Sequence, residues 1–292
     1  MPAELIAFLS NICYYLAFAV WKVAVGRMDP LHGAHPLHAM GQGLRDSGWW
    51  VGLLLMVGGA GLQVTALTTL PLNVAAPIFA ASLIPLLLLA VFYFQERLAP
   101  REWLCLGFVG VAFVLLALSV SDQPLTVTTG RTVPILLVAV LSLVIPGWLF
   151  TSGDYTQGGR HARPVSGVAY GIGVGIVYGT SELMIKSLSD LYRAGYGIAD
   201  IAATPQPYIL ILTATTSYVM TGIALQRCRM AIVITVGTIT SQVQLLLVGS
   251  VLYGEASPGT IGVALRIGAL VIAGTAIFLF PRQEKRAYEL SV

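Results

Sequence analysis

Charged residues are scarce in this sequence. Asp, Glu, Lys and Arg together make up 10% of its 292 residues, whereas soluble domains carry about 25%. Hydrophobic residues make up 57%, and the mean hydropathy is +0.83. A water-soluble fold of this composition would expose large apolar patches. The scarcity of charge therefore excludes a soluble globular protein and predicts an all-α polytopic membrane protein.

The sequence also has few cysteines and a small net charge. The three cysteines, Cys13, Cys105 and Cys228, have no metal-binding or redox spacing, so we expect free thiols packed as small apolar side chains. A net charge of +3 gives no case for a nucleic-acid partner. We expect no bound metal and no cofactor.

Long apolar runs are abundant. A membrane-spanning helix needs about 20 apolar residues, and nine runs meet this need. These runs, numbered as spans 1 to 9, are 2–25, 48–70, 72–95, 101–120, 131–151, 166–189, 205–226, 229–253 and 258–280. No other segment is long or polar enough to form a second domain, so residues 1–292 are predicted to form a single transmembrane domain in the lipid bilayer.

The basic residues are distributed unevenly. With nine spans, twelve of the sixteen Lys and Arg residues fall on one side of the membrane, three fall on the other, and Arg266 lies within span 9. Because basic loops stay in the cytoplasm, this asymmetry predicts a cytoplasmic C-terminus and an external N-terminus. The plasma membrane is the expected location.

The two halves of the chain resemble each other. LLLLAVFYFQERLAP (86–100) aligns without gaps with LLLVGSVLYGEASPG (245–259), which places Glu96 opposite Glu255. In each half the acid is followed by a proline that opens the next span. Spans 1 to 4 are therefore interpreted as a repeat of spans 6 to 9.

Span 1 supports the same alignment. Tyr14 and Lys22 match Tyr178 and Lys186 of span 6 at one constant offset. Five spans separate the two units, and because five is odd the units are predicted to be inverted, as in many secondary transporters. The first repeat is 1–120, the connecting helix and loop are 121–165, and the second repeat is 166–292.

Residues 48–118 resemble the first-half core of the drug/metabolite transporter superfamily. The likeness rests on an Ala-rich helix after a short proline turn, a third span that contains proline and ends in "ER", and a following helix with the pattern W…G…G. This resemblance implies a transporter fold of the EamA type, with a small-molecule or ion substrate.

Within that superfamily the chain resembles the NIPA-like branch, which is known for magnesium-transporter assignments. WWVGLLLMVGGAG, PYILILTATTSYVMTGIALQ and the positions of Lys22 and Lys186 carry the likeness. The branch has an acid in span 2 after paired glycines, whereas this chain reads GGAGLQ, with Gln63 as the first polar residue. Because of this departure, the resemblance is weaker evidence that this chain transports magnesium.

Span 6 carries glycine at every fourth position. This ridge of Gly167, Gly171, Gly175 and Gly179 predicts a close approach of another helix, either for packing alone or as a surface on which helices move. In span 3, Pro77 and Pro85 each remove a backbone hydrogen bond and predict kinks.

Polar residues inside the spans are the candidates for a substrate or ion pathway. Gln63 and Asn73 supply them in the first half. In the second half Thr235, Thr238, Ser241 and Gln242 share one face of span 8. They are interpreted either as the lining of a cavity or as hydrogen bonds between helices.

Glu182 is the candidate at the centre of the pathway. It follows a charge-free stretch of span 6, and intramembrane charges are usually functional. Lys186, four residues on, and Arg266, at a similar expected depth, are its candidate partners. Glu182 either takes a proton or a cationic group of the substrate, or only forms an ion pair that locks the helices.

The sequence thus predicts a secondary transporter that moves a small organic solute by alternating access, not an enzyme. Mg²⁺ takes several oxygen ligands, and a single acid beside basic residues does not supply them. A NIPA-like magnesium transporter is therefore kept as the alternative function. A membrane scaffold or a membrane enzyme is the third candidate. An enzyme would need His, Asp or Cys clustered within the membrane, but all four histidines lie in expected loops. A homodimer is left open.

Overall fold

In lipid the backbone has no water to bond to, so apolar segments satisfy their N–H and C=O groups internally as helices. The computed structural model describes residues 3–29, 31, 36–70, 78, 83–96, 98, 100–119, 132–156, 166–253 and 259–279, and this part of the chain is helical without strands. The helices are α1 (Ala3–Val25), α2 (Pro36–Gly43), α3 (Ser47–Leu67), α4 (Leu83–Leu88, followed by a π-helical turn at Leu89–Tyr93), α5 (Pro100–Leu118), α6 (Thr132–Thr156), α7 (Ser166–Arg193), α8 (Ile198–Ala202), α9 (Gln206–Arg227), α10 (Met230–Tyr253) and α11 (Thr260–Leu279).

Six of these helices are long and apolar enough to cross a membrane: α1, α3, α7, α9, α10 and α11. Many large apolar side chains point outward; Leu54, Phe92 and Phe278, for example, are 70%, 75% and 81% exposed. Such a surface suits lipid and not water. The chain is an integral multi-pass helical membrane protein, while the number of nine spans stays a prediction.

Span 3 is the least complete of the predicted spans. Its described part is Ile78 together with α4 and the π-helical turn; Asn73 and Pro77 lie outside the described residues. Pro85 lies in the first turn of α4, and the helix changes to π geometry at Leu89.

The helix α7 is the most enclosed of the candidate spans. It packs on α10 and α9, and also on α6 and α3. In the other half α1 packs mainly on α3 and also touches α9, while α5 packs along α11 at the side. The contacts α1–α9 and α3–α7 would exchange under the predicted inverted repeat, and the repeat itself remains a prediction.

The positions of the helix ends define the two ends of the bundle. At one end, called the basic end here, α1 finishes at Val25, α9 finishes at Arg227 and α10 begins at Met230. At the opposite end, called the far end, α7 finishes at Arg193 and Ser189 lies against α3, where its Oγ donates to Val64 O at 3.3 Å.

The glycine ridge of α7 faces α10. A side-chain carbon added at Gly171 would lie 2.8 Å from Val236 Cβ, and one at Gly179 would lie 2.8 Å from Gln244 Oε1. At Gly175 it would collide with the main-chain oxygen of Gly237. The two backbones therefore touch at this crossing, and Gly167 is buried one turn earlier.

Replacing Gly175 with Leu should destabilise the protein, because overpacking a tight contact costs about 1–3 kcal/mol or more. The control is Gly58→Leu, since Gly58 of α3 is exposed and has no atom near its missing Cβ. Thermal unfolding in detergent measures both variants. Equal midpoints for the two would contradict the close α7–α10 crossing.

Candidate functional site

A narrow cavity of about 20 Å³ lies where α1, α7 and α10 meet. The first-half helix α1 contributes Asn11, Tyr15 and Phe18 to its wall. The second half contributes Tyr178 and Glu182 of α7 and the inward face of α10. The cavity therefore lies between the two halves of the chain and combines polar and aromatic side chains.

Glu182 stands near the middle of α7. It is 11 residues from the helix end at Arg193, about 16 Å at a rise of 1.5 Å per residue. The residue is 2% exposed, and Gln63 and Ser241 lie beside its carboxyl group. One carboxyl oxygen, Oε2, is buried without a hydrogen-bond partner among the described residues.

Gln63 lies between this carboxyl group and α1. Its side-chain oxygen accepts a hydrogen bond of 2.6 Å from Tyr14 OH, while its amide nitrogen has no partner among the described residues. The Tyr14 ring meets the Tyr178 ring edge to face, with 5.8 Å between the ring centres. Gln63, Tyr14 and Glu182 thus form one buried polar group across α1, α3 and α7.

The polar face of α10 lies in the cavity wall. Thr238, Ser241 and Gln242 line it, and Gln242 Oε1 has no hydrogen-bond partner within the described part of the chain. Ser241 Oγ donates to Thr238 O at 3.0 Å. Thr235 is fully buried one turn toward the basic end and does not line the cavity.

Lys186 does not pair with Glu182. It binds Asp190, with 2.7 Å between Nζ and Oδ1, and both residues are almost completely buried, at 3% and 1% exposure. The expectation was wrong because span 6 was ended at residue 189, whereas α7 continues to Arg193 and carries Asp190 into the bundle. Asp190 is a second buried acid in this helix.

Arg266 does not pair with Glu182 either. It lies on α11, which packs along α5, and its Nε atom is buried without a partner among the residues that the structure describes. Within that same part of the chain no Lys or Arg forms a salt bridge with Glu182. The peripheral position of α11 explains why equal depth did not bring the charges together.

The sequence analysis missed the contribution of α1. Asn11, Tyr15 and Phe18 line the cavity, yet none was a candidate. One signal was present: the repeat alignment matched Tyr14 with Tyr178, and the structure brings these two rings together. Under the predicted inverted repeat, equivalent residues would meet where its axis passes, and the contact between these two rings agrees with that prediction.

Membrane-crossing helices around a buried polar cavity define a class of proteins that includes membrane transporters. The chain is 22% identical over 259 residues to the "Probable magnesium transporter NIPA9" of Arabidopsis thaliana, over 84% of this chain and 75% of that protein. It is 28% identical over 103 residues to the "Probable 4-amino-4-deoxy-L-arabinose-phosphoundecaprenol flippase subunit ArnE" of Hamiltonella defensa subsp. Acyrthosiphon pisum (strain 5AT), over 35% of this chain and 91% of that protein. No protein-family model and no solved structure matches the chain.

Both relatives are membrane transport proteins by name. The matches confirm the resemblance to the drug/metabolite transporter superfamily, of the EamA and NIPA-like type. They support a role in membrane transport.

The two buried acids of α7 should respond in opposite ways to loss of charge. Asp190→Asn leaves Lys186 buried without its anion, which costs about 3–5 kcal/mol, so the unfolding midpoint should fall. Glu182→Gln removes a buried charge that has no ionic partner in the described structure, so the midpoint should stay or rise. Thermal unfolding in detergent measures both.

A double variant checks the cause. Asp190→Asn combined with Lys186→Met removes both members of the buried ion pair, so it should recover most of the stability. Arg193, whose Nη1 lies 3.9 Å from Asp190 Oδ1, has a side chain that is 20% exposed, so its loss of a partner costs less. A loss in Glu182→Gln as large as that in Asp190→Asn would contradict the distinction between the two acids.

Proposed function

We propose that the protein is a secondary transporter that moves a small organic cation across the membrane by alternating access, with Glu182 as the group that receives the cation or a coupling proton. The observation that carries this proposal is the buried Glu182 carboxyl group in the cavity between α1, α7 and α10. Burying a carboxylate without an ionic partner is costly. A charged ligand or a proton would remove that cost.

A purely structural role for Glu182 is less well supported. An ion pair that locks two helices needs a basic partner, and Lys186 is already bound to Asp190. Lys186 pairs with Asp190 within α7 itself, so this ion pair does not involve Glu182. Glu182 is left beside neutral polar groups that can bind a cation and release it.

The aromatic wall favours an organic cation. Tyr15, Phe18 and Tyr178 line the cavity together with Glu182, and the centres of the Phe18 and Tyr178 rings are 6.3 Å apart. Ammonium groups are attracted to aromatic faces as well as to carboxylates. An amine or quaternary ammonium group would use both kinds of side chain.

The size and place of the cavity support alternating access. At about 20 Å³ it has room for water but not for an organic solute, whose sites usually measure about 300 Å³ or more. The helices must therefore separate for a solute to enter. The cavity lies between the predicted inverted repeats, where secondary transporters hold their substrate.

Transport of Mg²⁺ is the second candidate. The NIPA9 relative and the oxygen-bearing side chains of Asn11, Glu182, Thr238, Ser241 and Gln242 around one small cavity favour it. Mg²⁺ keeps several waters and often uses only one or two carboxylates. The basic neighbours that argued against this ion in the sequence form no salt bridge with Glu182 in the described part of the chain.

The remaining expectations belong to the same proposal. We place the protein in the plasma membrane with its N-terminus outside and its basic end in the cytoplasm, on the strength of the uneven basic residues. Its partners would be the solute and the lipid bilayer.

Ligand-dependent stabilisation of the purified protein tests the proposal. A bound ligand at 100 times its Kd stabilises the folded state by about 2.7 kcal/mol, which raises the unfolding midpoint. We expect organic amines and quaternary ammonium ions to raise it in the wild type and not in Glu182→Gln. Glu4→Gln is the control, because Glu4 is an exposed acid near the start of α1.

The outcomes separate the candidates. A shift with Mg²⁺ alone, lost in Glu182→Gln, would favour the magnesium transporter and reject the organic solute. Shifts with organic cations that persist in Glu182→Gln would contradict the role of this residue.

A further inference from the structure

The α9–α10 link at the basic end is held by charged groups from the other half of the chain. The link is short: α9 ends at Arg227 and α10 begins at Met230. Lys22 Nζ of α1 donates to Leu225 O at 2.6 Å and to Cys228 O at 2.8 Å. Lys22 thus binds the carbonyl groups that the end of α9 leaves free.

Glu96 binds the start of the next helix. Its two carboxyl oxygens accept hydrogen bonds from Met230 N at 2.7 Å and from Ala231 N at 3.0 Å. The preceding residue, Gln95, has φ of 53°, a conformation uncommon for a residue other than glycine. The chain therefore takes up a costly turn immediately before the carboxylate that caps α10.

The charges match the helix ends. The C-terminal end of a helix carries partial negative charge and the N-terminal end carries partial positive charge. A lysine on the former and a glutamate on the latter are the favourable arrangement, and both come from the first half while both helix ends belong to the second. Arg229 of the link adds a salt bridge to Glu102 of α5, at 2.5 Å.

The far end is held differently. Lys186 is the repeat counterpart of Lys22, but here it binds Asp190 of its own helix and not carbonyl groups of the other half. Apolar side chains such as Leu67, Leu183 and Met184 fill that end. Among the described residues, charged groups that bond from one half to the other are therefore found mainly at the basic end.

We propose that Lys22 and Glu96 form the gate of the transporter at the basic end, and that their release from the α9–α10 link opens the Glu182 cavity toward that side. The inference rests on the proposed transport function. The cavity reaches Val233 and Ile234, within about one turn of the capped residues Met230 and Ala231. Moving the start of α10 away from Glu96 moves this wall.

Thiol accessibility tests the gate without any substrate. The probe is Ile234→Cys in a protein whose three native cysteines are replaced, and the reagent is an impermeant methanethiosulfonate applied to membrane vesicles of both orientations. Lys22→Met or Glu96→Gln should speed labelling from the basic end at least about tenfold, because each change removes charge-assisted hydrogen bonds that hold the closed state.

Two controls define the result. Lys22→Arg keeps the charge and the donors, so labelling should stay slow. Asp46→Asn changes a carboxylate at the same end that caps α3 within its own half, through Trp49 N at 2.9 Å, so it should also leave labelling slow.

Unchanged labelling in both Lys22→Met and Glu96→Gln would overturn the gate, as would equally fast labelling in Asp46→Asn, which would indicate general loosening. If one gate variant fails to fold, the other decides. Because the assay needs no solute, a failed gate leaves the ligand-binding test of Glu182 unaffected, and the reverse also holds.

Discussion

The rest of the structure depends on one constraint, a carboxylic acid buried near the middle of the most enclosed helix. Glu182 is 2% exposed and forms no salt bridge among the described residues. A lipid-embedded chain gains nothing in stability from such a group. Its surroundings are accordingly polar but neutral: Gln63 and Ser241 lie beside it, and Tyr14 holds Gln63 in place. These neutral polar groups lower the cost of burying the acid but leave its charge uncompensated. Such a site can bind a positive charge and release it.

The packing around this acid combines tight and separable contacts. Glycines let the α7 and α10 backbones touch, so these two helices form one wall of the cavity with little side-chain interlocking. The opposite wall, α1, belongs to the other half and meets α7 through the Tyr14 and Tyr178 rings. Polar bonds between the halves gather at the basic end, on the capped ends of α9 and α10. In the proposed gate, a movement that frees these caps would separate the walls without unfolding either half.

Much of the fold could be predicted from the sequence, because apolar runs of about 20 residues have few alternatives to membrane helices. The helical spacing of Thr235, Thr238, Ser241 and Gln242 predicted one polar face of α10, and three of these residues, Thr238, Ser241 and Gln242, line the cavity. The partner of Lys186 did not, because a helix end misjudged by four residues hides Asp190 in an expected loop. Arg266 was misassigned because depth along a helix says nothing about which helices are neighbours. Tyr15 and Phe18 were missed because aromatic residues are equally common in membrane helices that only pack.

In the proposed mechanism Glu182 takes part in transport, whereas Asp190 contributes only to stability. Concentrative uptake of the stabilising cation into proteoliposomes tests it most directly, with equal amounts of folded wild type, Glu182→Gln and the Lys186→Met, Asp190→Asn double variant. We expect uptake by the wild type and by the double variant, and none by Glu182→Gln. Full concentrative uptake by Glu182→Gln would contradict the claim.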